Sequence, residues 1–308
     1  MLKFILKRIL MLIPVLIGVM FVVFLLAYIT PGCPARVILG EAASLEAIAQ
    51  LREEMGLDEP FLVQYYNFII NAVRGDFGNS YRTQRPVFQE VLDRFPNTMQ
   101  LAAMGIVLAV VIGIPLGIIS AVKQYTPFDF GATFIGLVGV SIPNFWLGLI
   151  LIMFFTVTLQ WLPPTGFREP LQWIMPTIAI GTNSCAIIMR MTRSSMLECI
   201  RQDYIRTARA KGQKESVVIF RHALRNALIP VTTVAGLQFG FLLGGAVLTE
   251  TIFAIPGLGS FLVSSILNRD FAIVRGGVLL IAITFTVVNL AVDILYAFID
   301  PRIRSQYR

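Results

Sequence analysis

The stretch Met99–Val122 reads MQLAAMGIVLAVVIGIPLGIISAV and carries no charged residue. A helix that crosses a bilayer needs roughly 20 predominantly apolar residues, because it rises about 1.5 Å per residue through a hydrocarbon layer about 30 Å thick. A barrel strand would instead alternate with period two over about ten residues. This stretch does not alternate, so it reads as a spanning helix. Five further runs of the same kind lie on either side. They are Ile9–Ile29, a segment within Ile135–Leu159, Leu171–Met189, Ala227–Thr249, and Gly276–Val292 extended through Leu295–Ile299. Pro14, Pro115, Pro143, Pro176 and Pro230 fall inside these runs. They are compatible with spanning helices, whose neighbours satisfy the freed backbone groups. The expected fold is all-α and polytopic, with six transmembrane helices.

Composition supports the same class. Of 308 residues, 56% are hydrophobic and only 14% are charged. Soluble domains run at about 45–50% apolar and about 25% charged. No soluble core of this length hides so much apolar surface. The numbers also exclude a disordered chain and a disulfide scaffold. The net charge of +7, from 25 basic and 18 acidic residues, reads as a cytoplasmic basic excess in a membrane protein and not as a nucleic-acid surface.

The first span follows Lys3, Lys7 and Arg8 and has the flanks of a signal peptide. Its apolar run is about twice a usual signal core, and five spans follow, so it reads as a retained helix. Thr30-Pro31-Gly32-Cys33 is discounted as a lipidation site. With both termini inside, 16 of the basic residues fall on inner segments and nine on outer ones, six of them in one long segment. The positive-inside rule therefore places both termini in the cytoplasm. Residues 1–29 are then the inner N-terminus and first span, and 30–97 an external segment with nine acidic and six basic residues. A five-helix core follows over 98–299, with helices near 99–122, 135–159, 171–191, 227–249 and 274–298. An inner loop covers 192–226, and 300–308 is an inner tail. In the external segment Leu45, Ile48, Leu51 and Met55 recur at helical spacing, and Gly75-Asp76-Phe77-Gly78 punctuates as a turn.

Catalytic chemistry is absent from the pattern. His222 is the lone histidine, and Cys33, Cys185 and Cys199 show no metal-binding spacing. Gly139-Val140-Ser141 fails as a nucleophile elbow because position 143 is proline. No lysine follows a glycine, so no Walker A phosphate loop exists. The middles of all six spans lack Asp, Glu, Lys, Arg and His, with Arg190, Arg275 and Asp293 near ends. Ion-coupled transporters place such groups inside their spans. No catalytic residue, metal ligand or resident cofactor is expected, and any uphill transport needs energy from another subunit.

The inner loop carries the most information. Met196, Ile200, Tyr204 and Ala208 recur four apart, and Gly212 suits a helix C-terminal turn. A second face follows at Val217, Phe220 and Leu224. Two amphipathic helices of this kind rest on lipid headgroups or enter a groove on a partner protein. The small residues Ala208, Ala210 and Gly212 favour the groove. In the fifth span Gly236, Gly240 and Gly244 lie four apart, a spacing for close helix approach within the bundle or at a subunit interface. Thr182, Asn183 and Ser184 put polar groups in the centre of the fourth span, as candidate pathway lining or as interhelical hydrogen-bonding groups.

Several stretches together resemble one family. Thr207–Gly212 reads TARAKG and His222–Ala227 reads HALRNA; Leu228-Ile229-Pro230 closes the loop. These resemble the coupling loop of ABC importer permeases, and more narrowly the dipeptide/oligopeptide/nickel permease family. Gly56-Leu57-Asp58, Gly75–Gly78, Ser141–Gly148 (SIPNFWLG), Glu250–Gly259 and Asp300-Pro301-Arg302 agree in order along nearly the whole chain. The long external segment resembles that of the B-type subunit of the permease pair. Two positions depart. Arg206-Thr207-Ala208 stands where the general motif has Glu-Ala-Ala, and Cys33 where an acid is expected after Pro-Gly. The first bears on the acid and not on docking.

The resemblance implies a type I ABC importer permease fold in a bacterial or archaeal cytoplasmic membrane. It implies a second, C-type permease subunit, two ATP-binding subunits that hold ATP and Mg, and an extracytoplasmic substrate-binding protein. It makes Tyr204, Arg206, Thr207, Ala208, Ala210, Gly212, Phe220 and Leu224 the ATPase-coupling residues. The expected cargo is a di- or oligopeptide, with nickel or glutathione as alternatives on the same machine. A channel or secondary transporter is the rival from another class.

Overall fold

A computed structural model describes residues 2–40 and 42–299. The tail 300–308, with Asp300-Pro301-Arg302, lies outside the described residues. The architecture is helical: α1 Leu2–Ile29, α2 Pro34–Leu39, α3 Leu45–Glu54, α4 Phe61–Val73, α5 Val87–Val122, α6 Pro127–Ser141, α7 Asn144–Leu151, α8 Pro170–Ile200, α9 Asp203–Ala210, α10 Glu215–Val217, α11 Leu224–Gly245, α12 Val247–Ile252, α13 Leu258–Leu267 and α14 Phe271–Ile299. Ile152–Thr158 continues α7 as a π-helix, and a π-helical segment at Val218–Ala223 joins α10 to α11.

Among the described residues five helices are long and apolar enough to cross a membrane. α6 and α7 with its π-helical continuation pass only as a pair, bent by 100°, which counts as a sixth when taken as one span. The third span is therefore not the straight helix expected within Ile135–Leu159. The break sits at Ile142-Pro143. Proline pushes the preceding residue out of the helical region, and Ile142 is extended at φ −82°, ψ 121°. Other boundaries move as well. The second span begins at Val87, twelve residues before the apolar run, because α5 also carries part of the segment read as external. α8 runs on to Ile200, through the first residues of the expected loop. It starts firmly: Pro170 occupies the first turn, and Glu169 with Gln172 forms a reciprocal capping box.

The chain divides into two compact units, one built on Met99–Ile255 with the segment from Val287, the other on Leu6–Thr98 with Pro256–Thr286. In the first unit α8 is central, with half of its apolar window buried. Small residues let α5 approach it. A Cβ at Gly113 would meet the Cys185 carbonyl at 2.8 Å, and one at Gly117 the Met189 carbonyl at 2.6 Å. Without a hydrophobic drive between helices in lipid, such backbone proximity is the main source of packing. Asp129 of α6 is clamped in the same unit. Arg193 reaches its two carboxylate oxygens at 2.7 and 2.8 Å, and Ser120 and the Tyr125 N–H also donate to it.

In the second unit α1 and α4 meet through aromatic rings, with Arg275 of α14 over two of them. Phe24 packs on Phe61, Tyr65 and Phe68. The Gly75–Gly78 turn forms as read: Asp76 accepts the Gly78 N–H at 2.8 Å, and Phe77 lies against Gly276. Asp270 ties this region to the start of α14 by accepting from Ser80 Oγ and the Tyr81 N–H. Ser44 caps α3, on which Ile48 is buried while Leu45 points outward.

Candidate functional site

A cavity of the first unit lies at the Pro143 break. With the helix interrupted, the Val140 carbonyl needs a donor that no later turn of α6 supplies. Asn183 Nδ2 of α8 donates to it at 3.2 Å. One residue on, Ser184 Oγ accepts from Gln238 Nε2 of α11 at 3.4 Å. These groups face a cavity of about 650 Å³ whose lining also includes Asn144, Ile187 and Phe241. The volume suits a small-molecule site, for which roughly 300–1,000 Å³ is usual. Its lining carries no charge: three amides and two hydroxyls, from Ser141 and Ser184, stand among apolar side chains. Such a wall hydrogen-bonds peptide-like amides and performs no acid–base chemistry.

Of the three polar residues expected to line a pathway, the structure brings Asn183 and Ser184 to the cavity. Thr182 does not reach it: its hydroxyl donates to its own helix at Ile178, and its methyl lies against Gly139. Asn144 and Gln238 were not expected there. Asn144 lies within the SIPNFWLG stretch, which was a usable signal; Gln238, a lone amide in an apolar run, carried none.

The glycine stripe of α11 divides. A Cβ at Gly236 would strike Val292 of α14 within the same unit, while around Gly244 nothing lies within 4 Å. Gly236 thus serves internal packing, Gly240 is buried, and Gly244 is exposed.

The segment from α9 to the π-helical stretch folds as a hairpin. α9 is tied to α10 by Arg209, which donates to both carboxylate oxygens of Glu215 at 2.6 and 3.1 Å. Between them Gly212 takes φ +70°, a left-handed turn that suits glycine. Asn226 Nδ2 donates to the Tyr204 hydroxyl at 2.9 Å. The two expected faces change. α8 ends after Ile200, so Met196 and Ile200 belong to a different helix from Tyr204 and Ala208. Ala208, expected at the entrance to a partner groove, is buried with Met196, Ile205, Val218, Ala223 and Ala227 in a core of the chain's own unit. The π-helical segment explains the second face. Its wider turn brings residues five apart onto one side, so Val218 and Ala223 turn inward and Val217 and Phe220 outward. Phe220 is 61% exposed. Arg206, Thr207, Ala210 and Gly212 are also exposed, whereas Leu224 packs partly against the core. The outward surface is therefore Tyr204, Arg206, Thr207, Ala210, Gly212, Val217 and Phe220. Among the described residues no group of three or more His, Cys, Asp or Glu is placed to hold a metal ion.

Comparison with known proteins agrees with this architecture. Residues 113–305 match the family described as binding-protein-dependent transport system inner membrane component, and residues 1–102 match its N-terminal companion. The dipeptide transport system permease protein DppB of Alkalihalophilus pseudofirmus is 46% identical over 99% of this chain and 100% of its own. The glutathione transport system permease protein GsiC is 44% identical in Salmonella typhimurium and in Escherichia coli K12, over 99% of both chains in each case. Among solved structures, a chain of the MetNI methionine ABC transporter superposes with TM-score 0.57 at 18% identity, over 68% of this chain and 96% of that one. A chain of an amino acid ABC transporter gives 0.51 at 16% identity, over 70% and 94%. At these identities the likeness is one of fold.

Proposed function

We propose, from the premise that the chain belongs to the family of inner-membrane components of binding-protein-dependent transport systems, that it is one of two permease subunits of an ATP-driven peptide importer. The uncharged, amide-lined cavity at the Pro143 break carries the reading. It offers hydrogen bonds to a peptide backbone without selecting a side-chain charge, as a pathway downstream of a separate binding protein requires. The relatives that cover the whole chain are named for dipeptide and glutathione transport, and both cargoes are small peptides. Glutathione is accordingly the second reading of the substrate.

The energy is assigned to partners. Two ATP-binding subunits hold ATP and Mg and dock on the outward surface of Tyr204, Arg206, Thr207, Ala210, Gly212, Val217 and Phe220. A second permease subunit completes the pathway, and an extracytoplasmic binding protein delivers the peptide. The excess of basic residues on the other segments supports cytoplasmic termini and an external segment within 30–97. Movement of the α9–α10 hairpin with the ATPases is passed to α8 and α11, which flank the cavity. Affinity purification of the tagged chain from its native membrane tests the assembly. A second permease chain and ATP-binding subunits should co-purify; a chain that purifies alone while retaining peptide uptake overturns the reading.

A further inference from the structure

The second unit holds a cavity of about 460 Å³, walled by Phe24, Phe68 and Phe77 with the amides of Asn67 and Asn71. Arg275, in the first turns of α14, lines it and also lines a neighbouring recess of about 480 Å³. The guanidinium lies 5.3 Å from the Phe24 ring and 5.0 Å from the Phe68 ring. Its Nη2 donates to the Tyr81 hydroxyl at 2.9 Å and its Nε to the Phe271 carbonyl at 3.3 Å. A guanidinium has five N–H donors, so three are left. Four arginines are partly buried among the described residues. Arg52, Arg94 and Arg193 each hold a carboxylate, from Asp58, Glu90 and Asp129. Arg275 has no carboxylate of the described residues within ion-pairing distance. A partly buried cation beside aromatic rings is stabilised by them only in part, and its planar fork matches a carboxylate held through two hydrogen bonds. Asp76 lines the same cavity. One of its oxygens accepts the Gly78 N–H, and the other is available to an ammonium group.

We propose that this cavity is a binding site for a short peptide, with Arg275 holding the C-terminal carboxylate and Asp76 the N-terminal ammonium. The site rests on the peptide reading above and adds a second place of contact in the other compact unit. An aromatic wall suits apolar side chains, and the two charges fix the direction of the bound peptide.

The test uses the full chain in phosphatidylcholine nanodiscs, titrated calorimetrically with Ala-Phe and with its C-terminal amide. Charge-assisted hydrogen bonds imply a loss of tenfold or more on amidation. Arg275→Gln should weaken Ala-Phe binding by about the same factor and leave the amide's binding unchanged, while Arg275→Lys should fall between. Because amidation alters only the ligand, the result stands even if Arg275→Gln folds poorly. Equal binding of acid and amide overturns the proposal. So does full retention of binding in Arg275→Gln, or its loss in Asn183→Leu alone, which moves the site to the other cavity. Repeating the titration with phosphatidylglycerol present tests a lipid phosphate as occupant; displacement of Ala-Phe by that lipid also overturns the carboxylate assignment. Peptide uptake by the assembled transporter without Ala-Phe binding here overturns this site only. Binding without any peptide uptake overturns the import reading instead.

Discussion

Asn183 of α8 donates its side-chain amide to the backbone carbonyl of Val140, 3.2 Å away on the helix that ends before Pro143. The contact supplies a partner for a carbonyl that the broken helix leaves open, and it places an amide on the cavity wall. Asn183→Leu keeps the volume and removes the donor. The contact is part-buried, so the cost falls at the lower end of the range of about 1–3 kcal/mol for an unsatisfied buried polar group. The variant should unfold earlier in a detergent titration and transport more slowly. Wild-type stability would show that the Val140 carbonyl finds another donor.

The Arg193–Asp129 pair gives a second prediction. Asp129 is 3% exposed and Arg193 26%, so removing the carboxylate strands a cation in a poorly solvated place. Breaking a buried pair costs about 3–5 kcal/mol, and the partial exposure of Arg193 points to the lower end. Asp129→Ala should be destabilised by that amount, and the double variant Asp129→Ala/Arg193→Ala by less than the sum of the singles. Additive losses would mean that the two groups act independently.

Five spans and the bent pair were legible because each is a long uncharged run, and lipid leaves a helix no other way to satisfy its backbone. The 100° bend was not, because no charge interrupts the run across Ser141-Ile142-Pro143-Asn144 and hydropathy is blind to direction. Asn183 and Ser184 were legible as polar exceptions in the centre of α8. Gln238 was not, since only the fold brings α11 to them. Ala208 misled for a physical reason: a small residue suits a tight internal contact as well as a partner groove, and the two have the same spacing. The inward turn of Val218 and Ala223 depended on a π-helical segment, which a reading at 3.6 residues per turn places out of phase.

The α9–α10 hairpin therefore separates two effects that one spacing had merged. Ala208→Trp should destabilise the chain itself by about 1–3 kcal/mol through overpacking. Phe220→Ala should leave the chain's unfolding midpoint unchanged while reducing recovery of the ATP-binding subunits. Co-purification yields and unfolding curves on both variants check this. Loss of chain stability in Phe220→Ala, or full ATPase recovery with it, would contradict the assignment of the outward face.

Orientation is tested by a single cysteine. On a background lacking Cys33, Cys185 and Cys199, a cysteine at Glu53 should react with an impermeant maleimide in intact cells. The excess of basic residues on the opposite segments requires this. Reaction only after permeabilisation would reverse the topology.

The most direct measurement of the central claim is uptake of a radiolabelled dipeptide into proteoliposomes holding the purified complex, with ATP and Mg on the cytoplasmic side of the ATP-binding subunits. Uptake should require ATP, the binding protein and this chain together. It should fall sharply with Asn183→Leu, which removes an amide from the cavity wall. Accumulation by this chain alone without ATP, or unchanged uptake when it is omitted, would contradict the account.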